Sequence, residues 1–516
     1  MSDSSFKINK MDFYYDRTIR KDYIEIADKC TDGFLFLWNK SYLDANLCEG
    51  NVFFHKFKHG DIRIKVEYLY TMDYLSCVLS AYKQTCNDLY KEKFLELFEM
   101  FVEYIKNENI FENVTEIELD LPIMGQILVV IKAVDILGYI PHKDVIVSLF
   151  IKYADWLMND ENYSFNNNHG LFLDLALLHL SVFLREHPDS ELWQKHALER
   201  TKKLFSVAYY DDYTNNEHSL SYFKHNNTLY KVIIDFCKYY NTTGVESINE
   251  KYSKICETLN IFAHNDDSFP VIGDGEVFYG EGNDISKLFP NLGVAVLKHD
   301  QLYMAFKNKT VFQLHAHTDI SSITARYKDI DFIVDSGHFN YNRYTPINRF
   351  VRSSAGHSGI FPLFADGMFQ KEFCEKISYS EITEYEHNES NSYVKGVYQL
   401  LDVEVCREIH ISENEIIIND SWKCENPTTM RQRFVISKEL IEHSQFTASK
   451  RTLESHVGNC SFKFEIIPSS EKALTEVQFG VAAPKYYEYE TTMLLDTYIE
   501  NSTAGEITAK ITFREE

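Results

Sequence analysis

Along the first half of the chain, apolar residues return every three to four positions, the period of a helix with one buried face. In FLELFEMFVEYIK the set Phe94, Leu95, Leu97, Phe98, Phe101, Val102 and Ile105 follows this spacing, and segments 123–140, 142–158, 190–210, 229–241 and 248–263 do likewise. Segment 170–184, GLFLDLALLHLSVFL, is apolar almost all round, as an inner helix of a layered bundle should be. Serial helices with short links predict stacked helical hairpins, an incomplete α/α toroid. The pattern changes near residue 264. HNDDSFPVIGDGE (264–276) is polar, carries a proline and two glycines, and breaks the helical period. Beyond it the alternation has period two, in GVAVLKHD, LYMAFKN, SSITARY, IDFIVDSG, VEVCREIHI, NEIIIND, CSFKFEII and EITAKITF. Strands without long intervening helices predict antiparallel sheets packed as a sandwich. The expected organisation is multidomain α+β: a helical domain over 1–265, a central β-sandwich over 266–440 and a β extension of it over 441–516.

Composition narrows the function classes. Hydrophobic residues make up 45% and charged residues 25% of the 516, with Gly 20 and Pro 10, which is globular and leaves little room for flexible linkers. The net charge of −25 repels nucleic acid and anionic lipid. The ten cysteines form no C-x-x-C pair and are expected to be mostly free, buried thiols. The opening MSDSSFKINKMDFYYDR lacks the apolar centre of a signal peptide, and no run of 18 apolar residues occurs. With Met1 as the natural start, a cytoplasmic location is expected, with no membrane insertion. The many rings, Tyr 34 and Phe 37, suit a large core and also a cleft that stacks sugar faces.

Three segments carry candidate chemistry. In QLHAHTD (313–319), a strand would place His315, His317 and Asp319 on one face. The hairpin that follows, ITARY, a turn at Lys328-Asp329, then IDFIV, ends in Asp335-Ser336-Gly337. A carboxylate at that end beside an H-x-H segment gives His317, Asp335 and one further imidazole as a donor set suited to zinc. The second segment is Asn168-His169-Gly170 before the apolar helix, where Asn and His can also be simple caps. The third, Glu217-His218-Ser-Leu-Ser-Tyr222, is expected on a loop between helices, where a tyrosine can equally be packing.

Taken in order, N-H-G, E-H-S-x-x-Y, P-V-I-G-D, H-x-H-x-D, V-D-x-G and A-x-H resemble the heparinase II/III-like polysaccharide lyases, which include alginate- and chondroitin-type lyases. The resemblance implies β-elimination on a uronate-containing glycan. Asn168 and His169 would neutralise the uronate carboxylate, which electrostatically stabilises the enolate formed when C5 loses its proton. Tyr222 would act as general base or acid, and His315 would take the complementary proton role. His317, Asp335 and His357 would hold a zinc ion of mainly structural role. Arg349 or Arg352 would be the cleft arginine, and Tyr341 and Tyr344 would line subsites. The partner implied is an acidic oligo- or polysaccharide, with no nucleic acid; the oligomeric state is left open. Ser358 stands where the family usually has Asn, and Ser336 where it often has Pro. Degradative members are commonly exported, so a cytoplasmic one would meet imported oligosaccharides or glycans bound for export. The alternatives are a uronate C5-epimerase of the same architecture and a non-catalytic glycan-binding or assembly protein.

Overall fold

The computed structural model describes residues 6–16, 21–38, 41–48, 50–55, 62–113 and 118–515. They divide into two compact units. The first comprises residues up to Ala208 together with Thr228–Lys251, and the second Tyr209–Asn227 with Tyr252 onward.

The first unit is built of helices: α1 (Tyr23–Thr31), α2 (Ile62–Thr71), α3 (Asp73–Thr85), α4 (Asp88–Asn107), α5 (Ile110–Asn113), α6 (Asp120–Leu137), α7 (Lys143–Met158), α8 (His169–Phe183) and α9 (Ser190–Ala208). It also takes the later part of α10 (Leu220–Tyr239) and the start of α11 (Glu246–Asn260). Local chemistry sets the ends. Asn87 Oδ1 accepts from Leu89 N–H at the start of α4, with Asp88 in the first turn and Lys106 in the last. The inner helices α6 and α8 are the two apolar runs, and they pack on each other. The one carboxylate inside α8, Asp174, is fully buried and is satisfied by Arg200 Nε (3.1 Å), Thr201 Oγ1 (2.9 Å) and Tyr163 Oη (2.7 Å). One feature departs from the expected all-helical half: FLFLW and SYLD form a hairpin, β1 (Phe34–Trp38) and β2 (Ser41–Asp44). Two short aromatic runs after Asp32-Gly33 are too brief for a helix and pair instead.

The second unit is an antiparallel assembly of fifteen strands among the described residues. Strands β3 (Lys287–Phe289), β4 (Val294–His299), β5 (Leu302–Lys307), β6 (Ser322–Tyr327) and β7 (Ile330–Ile333) follow one another as neighbours. Then come α12 (Pro346–Arg352), β8 (Ile360–Pro362), α13 (Gln370–Lys376), β9 (Ile377–His387), β10 (Ser392–Leu400), β11 (Val403–Ser412), β12 (Glu415–Ile436), α14 (Lys438–Ile441), β13 (Ser444–Thr447), β14 (Thr452–Val457), β15 (Cys460–Pro468), β16 (Leu474–Lys485) and β17 (Glu488–Glu515). The long strands β12 and β17 pair along most of their length, with register shifts between Lys423 and Met430 where the ribbon bends. Before the bend β12 pairs with β11, and beyond it with β8 and β7. Strands β10 and β11 alternate buried and less buried residues, whereas β4, β5 and β6 are buried at every position. Strands on both sides of residue 440 share the sheet. Phe306, Phe332, Phe434, Phe464, Ile418 and Ile511 belong to its core. The predicted hairpin at 322–333 is present, with Tyr327 opposite Ile330 and Lys328 in the left-handed region.

All ten cysteines are unpaired; Cys30, Cys77, Cys237 and Cys460 are buried and Cys86 is exposed, so fewer are buried than the composition implied. Among the described residues, no helix is long and apolar enough to cross a membrane.

Candidate active site

The segment 313–319 is not a strand. It is a loop between β5 and β6, because its backbone groups pair elsewhere: His315 C=O accepts from Asp274 N–H and Thr318 N–H donates to Arg352 C=O. The one-face argument therefore fails for Asp319, whose carboxylate is buried against Lys307 Nζ at 2.6 Å. His315 and His317 are nevertheless brought together, by a residue the sequence reading quoted within a motif but gave no role. Asp274, 2% exposed, accepts from His315 Nδ1 (3.1 Å), from His317 Nε2 (2.8 Å) and from Arg352 Nη1. Gly273 makes this possible. Its φ is +71°, and a Cβ there would lie 2.5 Å from His218 C=O and 2.8 Å from His315 C=O.

Burial alone would push the Asp274 carboxyl up. The Arg352 guanidinium and the imidazoles of His338, His315 and His317 outweigh it and hold the group well below the usual carboxylate range. An ionised carboxylate only accepts hydrogen bonds. Asp274 therefore fixes two tautomers at once. In neutral His315 the proton sits on Nδ1 and the lone pair on Nε2. In neutral His317 the proton sits on Nε2 and the lone pair on Nδ1. Both lone-pair nitrogens are buried and make no hydrogen bond; the nearest carboxylate to His315 Nε2 is Glu217, at 3.6 Å.

Tyr222 lies in the first turn of α10, not on a loop. Its ring stacks on that of His315, with centroids 3.3 Å apart and planes 13° off parallel. Its hydroxyl lies 3.1 Å from Tyr341 Oη, which donates to Tyr486 Oη at 3.1 Å. Burial first, then the neighbouring phenols, push the Tyr222 hydroxyl well above its ordinary value, so it is a neutral proton donor in the free protein.

His317, Asp335 and His357 converge: one donor atom from each lies within 4.8 Å of the others. His317 Nδ1 and His357 Nε2 are buried without a hydrogen-bond partner, while His357 Nδ1 and Asp335 Oδ2 are 3.1 Å apart. Two imidazoles with free nitrogens and a carboxylate fit a metal ion of zinc's preferences. The two serines that depart from the family pattern brace this site. Ser336 Oγ donates to Gly356 C=O (2.5 Å), and Ser358 Oγ accepts from Val435 N–H (2.9 Å).

Of the four residues read as substrate-binding, Tyr341 sits in the phenol group just described. Arg352 is committed inward, to Asp274 and to the carbonyls of Leu314 and Ala316. Arg349 is exposed and covers the Phe369 ring at 5.0 Å, and Tyr344 is 80% exposed.

In the helical unit, Asn168 occupies the N-cap of α8 but does not cap it. Asn167 does so, its Oδ1 accepting from His169 N–H at 3.0 Å, which leaves Asn168 Oδ1 buried and unpartnered. Gly170 completes the turn because a Cβ there would lie 2.3 Å from Ser164 C=O. His169 Nδ1 is 2.7 Å from Asp120 Oδ2 and 3.0 Å from Glu118 Oε2. Burial would lower the imidazole, but the hydrogen bonds to Asp120 and then Glu118 raise it well above its ordinary value. The same bond takes Glu118 down to about 2. His169 is thus an imidazolium, not a cap.

Sequence reasoning missed Asp274, Tyr486 and the Glu118–Asp120 pair. The first had a signal, a carboxylate just after a Pro and a Gly at the junction. Tyr486 had none, since it comes from a turn 145 positions beyond Tyr341.

Residues 281–481 match the model of the heparinase II/III-like C-terminal domain. No curated protein matches the chain by sequence. Solved structures match over nearly its whole length. A crystal structure of heparinase III superposes with a TM-score of 0.82 at 13% identity, covering 98% of this chain and 87% of that one. A mutant heparan sulfate lyase from Pedobacter heparinus gives 0.70 at 13%, covering 100% and 86%. The chondroitin AC lyase of Streptomyces coelicolor A3, in complex with chondroitin sulphate, gives 0.61 at 8%, covering 97% and 80%. The fold is therefore the α/α toroid followed by a β-sandwich that was expected from the periodicity. The resemblance to the heparinase II/III-like proteins carried by the motifs is thus met again in the family model over residues 281–481.

Proposed function

We propose that the protein is a polysaccharide lyase that cleaves a uronic-acid-containing glycan by β-elimination. The observation that carries this is the pairing of His315, its Nε2 lone pair aimed by Asp274, with the neutral phenol of Tyr222 stacked against it. One group is prepared to take a proton and the other to give one, which β-elimination requires. The His315 Nε2 lone pair takes the C5 proton; Tyr222 Oη gives its proton to the glycosidic oxygen as the C4–O bond breaks and the C4–C5 double bond forms. Neutralisation of the uronate carboxylate is the role that the resemblance assigns to the His169 imidazolium and to the Asn168 amide, whose nitrogen can donate to it.

Zinc is the metal proposed for His317, Asp335 and His357. When bound it supplies a fixed positive anchor for the loop that presents His315. The chain's own part is to hold His317 through Asp274, so the same carboxylate aligns the anchor and the base.

The test is ultraviolet absorbance of the new conjugated double bond with a panel of uronate glycans. Wild type should cleave at least one. Tyr222→Phe and His315→Ala should each lose about 10²–10⁴-fold in rate while keeping the fold. Equal rates for wild type and Tyr222→Phe would overturn the assignment of Tyr222. Deuterium entering C5 from solvent without cleavage would replace the lyase with a C5-epimerase. Neither signal with any glycan would favour a binding or assembly role.

A further inference from the structure

Tyrosine as a proton donor leaves a phenolate behind, and the Asp274 carboxylate acts against a negative charge on Tyr222. The anion needs hydrogen-bond donors. Two other phenols stand there. Tyr341 Oη lies 3.1 Å from Tyr222 Oη, Tyr486 Oη lies 3.1 Å from Tyr341 Oη, and Tyr222 and Tyr486 are themselves hydrogen-bonded, so the three hydroxyls close a triangle.

The placement of Tyr486 is built from several directions. It sits in the two-residue turn that joins β16 to β17, where Lys485 pairs with Glu488. Its backbone N–H donates to Glu276 Oε1 at 2.8 Å, two residues beyond Asp274. The next N–H, of Tyr487, donates to Phe339 C=O at 2.7 Å. Ala483 exchanges backbone hydrogen bonds with Ser336 (2.7 Å) and His338 (3.0 Å), which ties the hairpin to the segment carrying Asp335. The ring stacks on Tyr341 at 5.3 Å and meets His338 edge-on at 5.0 Å. The hairpin tip is thus anchored on both sides of one side chain.

We infer that Tyr486 is a positioning residue for the tyrosine acid: with Tyr341, it donates a hydrogen bond to the Tyr222 oxygen as that oxygen gives up its proton, and so spreads the developing negative charge over three phenols. The inference rests on the proposed role of Tyr222. The step balances without a further reactant. The proton passes from Tyr222 Oη to the leaving oxygen, the charge stays on Tyr222 Oη, and the hydroxyl protons of Tyr341 and Tyr486 remain on their own oxygens, turned toward it. The titratable groups facing Tyr222 are His225 on its own helix, His315 and Asp274 from the two loops, and Tyr341 and Tyr486; His338 and Arg352 stand behind Asp274.

The test compares wild type with Tyr486→Phe and Tyr222→Phe, both of which remove only a hydroxyl. With a glycan that wild type cleaves, Tyr486→Phe should lower kcat by about 10–100-fold, the worth of one hydrogen bond to a charged group, with KM within about twofold. A merely structural role would instead raise KM or lower the melting temperature and leave kcat in place. A glycan with a better leaving group needs less proton donation, so the deficit of Tyr486→Phe should shrink with it. If Tyr222→Phe is inactive but Tyr486→Phe matches wild type in kcat, the inference is wrong and the lyase reading stands. If Tyr222→Phe is fully active, or wild type cleaves no glycan, the reading itself is wrong, and with it the inference.

Discussion

Arg407→Met offers a direct test of how the candidate site is held. Arg407 is fully buried on β11 and makes a two-pronged pair with Asp420, Nε to Oδ1 and Nη2 to Oδ2, both 2.7 Å. Its remaining nitrogen, Nη1, donates to Ser321 C=O (2.6 Å) and Ser358 C=O (2.9 Å). Ser321 closes the loop that bears His315 and His317, and Ser358 follows His357, so one guanidinium fastens both arms of the proposed metal site. Methionine fills much of the volume and removes every donor. Removing one partner of a buried pair costs about 3–5 kcal/mol, because the other charge stays buried. Each orphaned carbonyl adds about 1–3 kcal/mol, less where the loop relaxes. Since neighbouring terms do not add fully, the expected loss is about 4–6 kcal/mol. At about 2–4 °C per kcal/mol for a unit of this size, calorimetry should show its melting transition fall by roughly 8–24 °C. Zinc content should fall with it. The double variant Arg407→Met/Asp420→Leu should recover part of the loss, since a buried pair replaced by apolar groups is often near neutral. A single variant that melts within about 3 °C of wild type and keeps its metal would refute the reasoning.

Three further outcomes are expected. Purified protein should carry one zinc per chain by elemental analysis, and a chelator should lower its melting temperature, as removing any ligand of the native state does; a metal-free protein indifferent to chelators would count against the site. Asp274→Asn keeps the shape but loses the charge, and should weaken zinc binding by about 10–100-fold, as loss of an outer-shell partner commonly does; unchanged affinity would detach Asp274 from that role. For His169 the sign follows from both partners. Its raised value means the ion pair stabilises fully below the ordinary histidine value near 6.5 and fades as pH climbs through the raised one, while the lowered value of Glu118 means its share is present above about 4.5 and fades toward 2. The stabilisation should therefore be complete between about 4.5 and 6.5, and imidazole NMR should show His169 still charged at pH 7.5. A His169 resonance that titrates near 6.5 would contradict the ion pair.

The two halves of the fold were legible because each obeys one period over a long stretch. Leu173, Leu177 and Leu180 on an inner helix, or Val405 and Ile409 on a half-buried strand, declare their environment locally. Short elements were less so: the β1–β2 hairpin has too few residues to show a period, and the Pro346 start of α12, capped by Thr345, was read as part of a strand-rich stretch. At the candidate site, the residues that converge, His317 with Asp335 and His357 and His315 with Tyr222, were legible as residue types in a known order. What joins them was not. Asp274 works through three partners 41, 43 and 78 positions away, and no spacing along the chain encodes such a hub. Nor could residue types show that Asn167, not Asn168, would take the capping bond.

The pairing of β12 with β17 also sets a timetable. Glu415 lies opposite Thr512 and Ile436 opposite Met493, and β17 serves as neighbour to β15 and β16 as well. During synthesis, every one of these strands must wait for a partner made after it, with its edge amides and carbonyls open to any other strand it meets. The sheet unit therefore closes in one late step, and a chain cut before β17 would be left with three unpaired edges at once, a species made for aggregation more than for partial activity.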